Sequence, residues 1–113
     1  MCSQSELQVI TGSVVKAAVE LLEDKIYKII LYGSYARGDF DAESDIDILI
    51  LLDCASGEVR EYRKQISRLA SRIGLENDIE VSLLLRDRAS FEERADFLPF
   101  YKNIQKEGVA LYG

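Results

Sequence analysis

Apolar residues recur at helical spacing near the start of the chain and gather into short continuous runs further along. Six apolar residues of the first segment fall on one side of a predicted helix: Leu7, Ile10, Val14, Ala18, Leu21 and Leu22. Residues 26–32 are mostly β-branched or aromatic, which predicts a buried strand. Gly33 and Ser34 end this run. A short helix from Ser34 to Arg37 is expected to follow and to end at Gly38.

A polar loop from Asp39 to Ser44 precedes the remaining elements. We expect a central strand at 45–52, then an amphipathic helix at 58–73 that stops at Gly74, then a strand at 78–85. A helix that starts with the Ser90 capping box follows, and after it a helix from Pro99 to Gly108. Residues 109–112 are expected to form an edge strand. This order predicts an α/β (α+β) fold with a small mixed sheet and helices packed on it. The chain length of 113 residues predicts a single domain over 1–113.

The composition narrows the possible chemistry. The chain is 48% apolar and 30% charged, as in ordinary globular proteins, and its net charge is −6. An acidic chain repels phosphate backbones, so nucleic acid is not expected as a direct ligand. The negative charge fits carboxylates that hold a divalent cation or a basic partner, and ordinary solubility explains it equally well. The absence of histidine excludes an imidazole triad and disfavours zinc, and Cys2 and Cys54 have no metal-like spacing.

Charged residues interrupt the apolar N-terminal segment. No apolar stretch long enough for a signal peptide or a membrane span is left between Glu6, Lys16 and Glu20. We therefore expect a cytoplasmic protein that has no membrane partner.

Two aspartates stand at the start of the predicted central strand. Asp45 and Asp47 are two residues apart, so a strand points both carboxylates to one face. Like charges this close repel each other unless a cation lies between them, and Mg²⁺ prefers such oxygen ligands together with substrate phosphates. An Asp-x-Asp pair by itself is more often a solvated strand end.

The Gly33-Ser34 turn lies between a predicted strand and a short helix. Backbone N–H groups at a helix N-terminus attract phosphate, Gly33 permits close approach, and the Ser34 hydroxyl adds a donor. The alternative is a tight turn with an N-cap. If the two strands are neighbours, the turn lies beside Asp45 and Asp47, and phosphate and metal ligands converge.

These residues carry a resemblance to a known family. The stretch from Gly33 to Gly38, followed by Ser44-Asp45-Ile46-Asp47, resembles the signature of the DNA polymerase β-type nucleotidyltransferase superfamily. The short length is similar to its minimal nucleotidyltransferase branch. The resemblance implies the polymerase β-like fold and a nucleotidyltransferase that moves NMP, as AMP from ATP, onto an acceptor. It also implies a two-metal Mg²⁺ site.

The resemblance assigns roles to individual residues. Asp45 and Asp47 would be catalytic and would bind metal, and a third carboxylate would come from a neighbouring strand. The family pattern selects Glu80 as the third, with Asp78 in reserve, although the family more often has Asp there. The alternative is that one or both are ordinary strand-end charges. Gly33, Ser34 and Arg37 would bind the nucleotide.

Two basic features have alternative interpretations. Arg37 either contacts a phosphate or pairs with Asp39 or Asp41. The predicted helix at 58–73 carries five basic residues, which form a solvated face or else a surface that docks a partner or RNA: Arg60, Arg63, Lys64, Arg68 and Arg72.

Two function classes stay open from the sequence. The first is a protein adenylyltransferase that acts as an antitoxin and modifies a tyrosine of a helical HEPN-type toxin, as the resemblance implies. The second is a non-catalytic nucleotide-binding module that caps or inhibits its partner by binding. Larger members of the superfamily that the chain resembles add a helical domain to complete the acceptor site. Without such a domain in these 113 residues, we expect the acceptor to be bound with a partner chain or by a homo-oligomer, or catalysis to have been lost.

Overall fold

The computed structural model describes residues 3–41 and 43–113; the prediction for Cys2 lies outside these ranges. Its helices and strands, in chain order, are α1 (Gln4–Leu22), β1 (Ile26–Tyr32), α2 (Ser34–Arg37), β2 (Ile46–Leu52), α3 (Ser56–Asn77), β3 (Val81–Asp87), α4 (Arg88–Ala95), α5 (Pro99–Glu107) and β4 (Val109–Tyr112). Among the described residues, no helix has the length and apolar character that crossing a membrane requires.

The four strands form one mixed sheet in the order β3-β2-β1-β4. Strand β1 is antiparallel to both β2 and β4, whereas β2 and β3 are parallel. Parallel neighbours need a long crossover, and α3 supplies it. The predicted fold class, a small mixed sheet with helices packed on it, is confirmed.

Strand β2 is central, as its apolar sequence predicts, and it is buried on both faces. Ile46, Ile48 and Ile50 are fully buried with the apolar stripes of α1 and α3. Leu49 and Leu51 point to the opposite face and pack with Phe91, Ala95, Tyr101 and Ile104 of α4 and α5. Burying this apolar surface on both sides fixes β2 in the centre of the sheet and fixes the direction of every side chain on it.

Helix α3 is longer than predicted. It continues past Gly74 to Asn77 and ends where Asp78 takes a left-handed conformation with φ 51°. A Cβ on Gly74 would lie 2.8 Å from the carbonyl oxygen of Ile79, so this glycine permits a close return of the chain rather than ending the helix. The third strand therefore begins at Val81, not at residue 78.

Two other local expectations were wrong. Helix α4 begins at Arg88 because Asp87, not Ser90, is its N-cap: the Asp87 carboxylate accepts a hydrogen bond from the Ser90 N–H at 2.9 Å. On α1, Leu21 is exposed, while the rest of the predicted stripe is buried. The boundaries of β1, α2 and β4 agree with the prediction.

Candidate active site

The antiparallel pairing of β1 with β2 brings the glycine turn to the aspartates. Tyr32, the last residue of β1, is the register partner of Asp47. Gly33 follows at once and starts α2, and its carbonyl accepts hydrogen bonds from the N–H groups of Ala36 and Arg37, both at 3.1 Å. The expected convergence of turn and carboxylates is therefore present in the fold.

Gly33 and Asp47 are in direct contact. A Cβ built on Gly33 would lie 2.6 Å from Asp47 Oδ2, which is inside van der Waals distance. Gly33 also has φ 77° and ψ −158°, a backbone conformation that is essentially restricted to glycine. Both the side-chain space and the backbone geometry require glycine at this position.

Asp45 and Asp47 stand at the start of β2. Ile46 and Ile48 are buried on the α1–α3 side, so alternation directs the Asp47 carboxylate to the other side, and Asp45 directly precedes the strand. Asp45 is exposed and Asp47 is half-buried. Burial, and then the charge of Asp45, raise the pKa of Asp47, while Arg37 acts in the opposite direction. The pair is thus a site of unfavourable negative charge that a cation would relieve.

Glu80 is the better placed of the two candidates for the third carboxylate. Its carbonyl accepts a hydrogen bond from the Ile46 N–H at 3.0 Å, and the next residue, Val81, pairs with Ile46. Glu80 directly precedes β3 and Asp45 directly precedes β2, so the two residues lie side by side at the start of this parallel pair. Asp45 and Glu80 also line one groove of about 610 Å³.

Asp78 occupies a different environment. It caps the end of α3, and its N–H donates to the Gly74 carbonyl, so it is not on a strand. It lines a concavity with Gly74, Leu75 and Glu80, but it does not line the groove that Asp45 and Glu80 share. The predicted strand at 78–85 would have placed Asp78 and Glu80 on one face; that prediction is wrong, because Asp78 takes a left-handed turn and the strand begins only at Val81.

The side chains available at the site suit Mg²⁺ bound by two carboxylates. Within residues 3–41 and 43–113, no three Asp, Glu or Cys side chains come close enough together to hold a metal ion. Mg²⁺ is commonly held by one or two carboxylates, with waters and substrate phosphates completing its shell, and Asp45 and Asp47 meet that requirement.

Arg37 forms two ion pairs at the edge of the site. Its Nε lies 3.1 Å from Asp39 Oδ2, and its Nη1 lies 3.7 Å from Glu107 Oε2. Pairing with Asp39 agrees with one of the two alternatives drawn from the sequence, and the pairing with Glu107 of α5 was not anticipated. Arg37 still acts electrostatically on Asp47, so its charge reaches the site.

Aromatic side chains border Asp47, and the sequence reasoning missed them. Burial, and then the charge of Asp47, raise the pKa of Tyr32 to about 12. The ring of Phe100 packs edge-on against Tyr32 with centroids 5.8 Å apart, and Phe100 is 52% exposed. The sequence signal for Tyr32 was its place directly before Gly33, but nothing local to residue 100 indicated that α5 would reach this site.

The family assignment follows from comparison with known proteins. The sequence profile of the family described as "Nucleotidyltransferase domain" matches residues 12–111. The chain belongs to this nucleotidyltransferase family. The match includes the glycine turn, both aspartates and Glu80, so the residues assembled above lie within the family's domain.

Relatives of this nucleotidyltransferase include two candidate protein adenylyltransferases of Methanocaldococcus jannaschii. One is 34% identical over 102 residues, which cover 87% of this chain and 94% of the relative. The other is 43% identical over 65 residues and covers 58% of this chain; the match spans 64% of that relative's length.

A solved structure shares the fold. A crystal structure of a toxin–antitoxin with AMP-PNP matches with a TM-score of 0.58 and 23% identity. The match covers 91% of this nucleotidyltransferase and 73% of that chain. At this level of identity the comparison supports the fold and no more.

Proposed function

We propose that this chain transfers AMP from ATP, with Mg²⁺, to a tyrosine hydroxyl of a helical HEPN-type toxin and so acts as a cytoplasmic antitoxin. The proposal treats residues 1–113 as one catalytic domain. The contact between Gly33 and the Asp47 carboxylate carries it, because this contact joins a turn suited to phosphate with a carboxylate suited to a cation.

The proposed roles follow from where each residue lies. The backbone of Gly33 and the hydroxyl of Ser34 hold the β- and γ-phosphates, and Arg37 contributes positive charge from the end of α2. Asp45 and Asp47 would hold Mg²⁺, and Glu80, which directly precedes β3, would supply the third carboxylate at the edge of the site. Mg²⁺ bound there would neutralise phosphate charge and lower the pKa of an attacking hydroxyl.

The chemistry is an in-line displacement. The acceptor oxygen forms a bond to the α-phosphorus as the bond to pyrophosphate breaks, and the hydroxyl loses its proton. The contribution of Gly33, Ser34 and the carboxylates is to hold the triphosphate so that the α-phosphate faces the acceptor.

Three observations support a protein acceptor. Two relatives are candidate protein adenylyltransferases, and a fold neighbour is a toxin–antitoxin with AMP-PNP. The net charge of −6 favours approach to a basic, RNA-cleaving partner. AMP attached near such a partner's active site would repel substrate phosphate through its added negative charge. The acceptor half of the site would come from that partner or from a second copy of this chain.

Calorimetry tests the nucleotide part of the proposal. ATP should bind with Mg²⁺ and weaken by about tenfold or more in EDTA, since charge-assisted contacts are worth roughly 1.5–3 kcal/mol. Asp47→Asn should lose the Mg²⁺-dependent gain. Glu61→Gln, which removes one exposed charge on α3, should keep it. Equal affinity of the wild type in Mg²⁺ and in EDTA would rule out the metal-bridged site.

One observation favours the second candidate, a non-catalytic module that inhibits its partner by binding. No three carboxylates lie within metal-binding reach of one another among the described residues. The double variant Asp45→Asn/Asp47→Asn separates the two functions. A module that acts by binding should still silence its partner with this variant, whereas an enzyme should not.

A further inference from the structure

A second polar cavity lies at the opposite end of β3 from Glu80. It has a volume of about 380 Å³ and lies where β3 ends and where α3 and α4 begin. Four arginines from three elements line it: Arg60 and Arg63 of α3, Arg86 of β3 and Arg94 of α4. The hydroxyl-bearing residues Ser56 and Ser90 also line it.

The positive charge in this cavity is not neutralised by ion pairs. In the part of the chain that the structure describes, the ion pairs of arginine involve Arg37, Arg72 and Arg88, and none of the four cavity arginines. Asp87 is the one carboxylate among the described lining residues. It is only 7% exposed and is occupied as the N-cap of α4. The four arginines therefore form a local region of positive charge in a chain whose net charge is −6.

Arg86 is held in place by neutral acceptors. Its Nε donates to the Tyr101 hydroxyl at 3.0 Å, and its Nη1 donates to the Leu85 carbonyl at 2.8 Å. Burial acts to raise the pKa of Tyr101, but the hydrogen bond and charge of Arg86, with a contribution from Arg94, outweigh burial and lower it. A guanidinium has five N–H donors, so Arg86 keeps donors for a ligand while its position is fixed.

We propose that this cavity binds a phosphate-bearing anion. A phosphoryl group carries more than one negative charge and accepts paired hydrogen bonds from guanidinium groups. Four arginines, two serine hydroxyls and the N-termini of α3 and α4 around one cavity match that chemistry, with the arginines as the main determinants. A single carboxylate would leave most of the positive charge uncompensated.

The cavity adjoins the groove that Asp45 and Glu80 line, because Arg63 and Arg86 line both, but none of the proposed metal ligands lines the cavity itself. Glu80 and Arg86 are six residues apart along an extended segment, which corresponds to about 20 Å at roughly 3.3 Å per residue. The proposal does not depend on adenylyl transfer, and loss of either activity leaves the other testable.

NMR titration with pyrophosphate in EDTA tests the site without loading the carboxylates with metal. We expect saturable shifts of the amide resonances of Ser56, Gly57 and Ser90. Arg60→Gln/Arg63→Gln should raise the dissociation constant about tenfold or more, because charged hydrogen bonds are lost. Gln is a good helix former and both arginines are exposed, so α3 should persist.

A matched control separates a site from general charge. Lys64→Gln/Arg68→Gln removes the same charge from exposed positions of the same helix outside the cavity, and should change the dissociation constant less than twofold. Equal weakening by both pairs would overturn the proposal. So would the absence of saturation, or shifts confined to Gly33 and Ser34.

Two further probes distinguish the source of the phosphate. AMP and a 5′-phosphorylated RNA tetranucleotide are each added in competition with pyrophosphate. A free nucleotide as the natural ligand predicts displacement by AMP with little dependence on chain length. RNA as the source predicts tighter binding of the tetranucleotide and a steeper loss of affinity with salt. Failure of both to displace bound pyrophosphate would overturn the assignment to a phosphate-bearing biological ligand.

Discussion

Gly33 lies against the carboxylate of Asp47, so close that a methyl group on Gly33 would lie 2.6 Å from Asp47 Oδ2. The two residues are 14 positions apart in sequence and meet because Tyr32 pairs with Asp47 between β1 and β2. The position of the carboxylate and the conformation of the turn are therefore coupled, and a change to one should disturb the other.

Gly33→Ala should reduce both stability and Mg²⁺-ATP binding. The left-handed backbone conformation alone costs about 1–3 kcal/mol for a residue with a Cβ, and the methyl group must also displace Asp47. Urea unfolding measures the free energy of unfolding, and calorimetry measures the loss of nucleotide affinity.

Two other glycines serve as controls for that variant. Gly38→Ala introduces a Cβ at φ 83° into open space, so it should cost stability without moving Asp47. Gly12→Ala, within α1 and also in open space, should stabilise by roughly 0.5–1 kcal/mol through helix propensity. Loss of nucleotide binding in Gly38→Ala equal to that in Gly33→Ala would show that backbone strain, and not the Asp47 contact, is responsible.

Asp47→Asn should make the metal-free protein more stable at neutral pH. Burial and repulsion by Asp45 raise the pKa of Asp47, so its ionised form destabilises the folded state. Interactions between partly exposed charges are worth up to about 1 kcal/mol, which sets the expected gain. Thermal unfolding in EDTA measures the gain.

The stability advantage of Asp47→Asn should depend on pH in a defined direction. Wild-type stability should fall as pH rises from the ordinary carboxyl pKa through the raised pKa of Asp47, because the folded state loses a proton that it binds more tightly. The advantage of Asp47→Asn should therefore shrink as the pH is lowered through this window. Glu61→Gln is the comparison, and an advantage for Asp47→Asn that grows in acid would contradict the assignment.

Local sequence patterns predicted much of the fold. The β-branched run at 26–32 is β1, and the Gly33-to-Gly38 stretch forms α2 as expected. The continuous apolar run after Asp47 indicated a central strand covered on at least one face, and β2 is buried on both. Each of these depends on residues close together in sequence, where periodicity and glycine chemistry dominate.

The parts that were missed depend on contacts between distant segments. Gly74 looks like a helix stop, but it continues α3 because the returning chain at Ile79 needs its open side. The role of Asp87 as an N-cap overrode the capping box at Ser90. The cluster of Arg86 and Arg94 with α3 arises only when three elements meet, and no single segment predicts it.

Glu80→Gln should slow AMP transfer more than Asp78→Asn does. Loss of a preorganised electrostatic group costs roughly two orders of magnitude or more in rate. Asp78 caps α3 in a left-handed conformation that asparagine also adopts readily, so Asp78→Asn should preserve stability. Transfer of labelled AMP from α-labelled ATP to the acceptor measures the rate of each variant. If Asp78→Asn is the damaging change, the assignment of the third carboxylate to Glu80 is wrong.

Transfer of AMP to a partner protein is the central claim, and intact mass spectrometry tests it most directly. The wild-type chain is incubated with Mg²⁺-ATP and the proposed HEPN-type toxin partner, and the partner is then weighed. We expect the partner to gain the mass of one or more AMP units at a tyrosine, and to gain none with Asp45→Asn/Asp47→Asn. A partner that is silenced by the wild type without any gain in mass would contradict the enzymatic account.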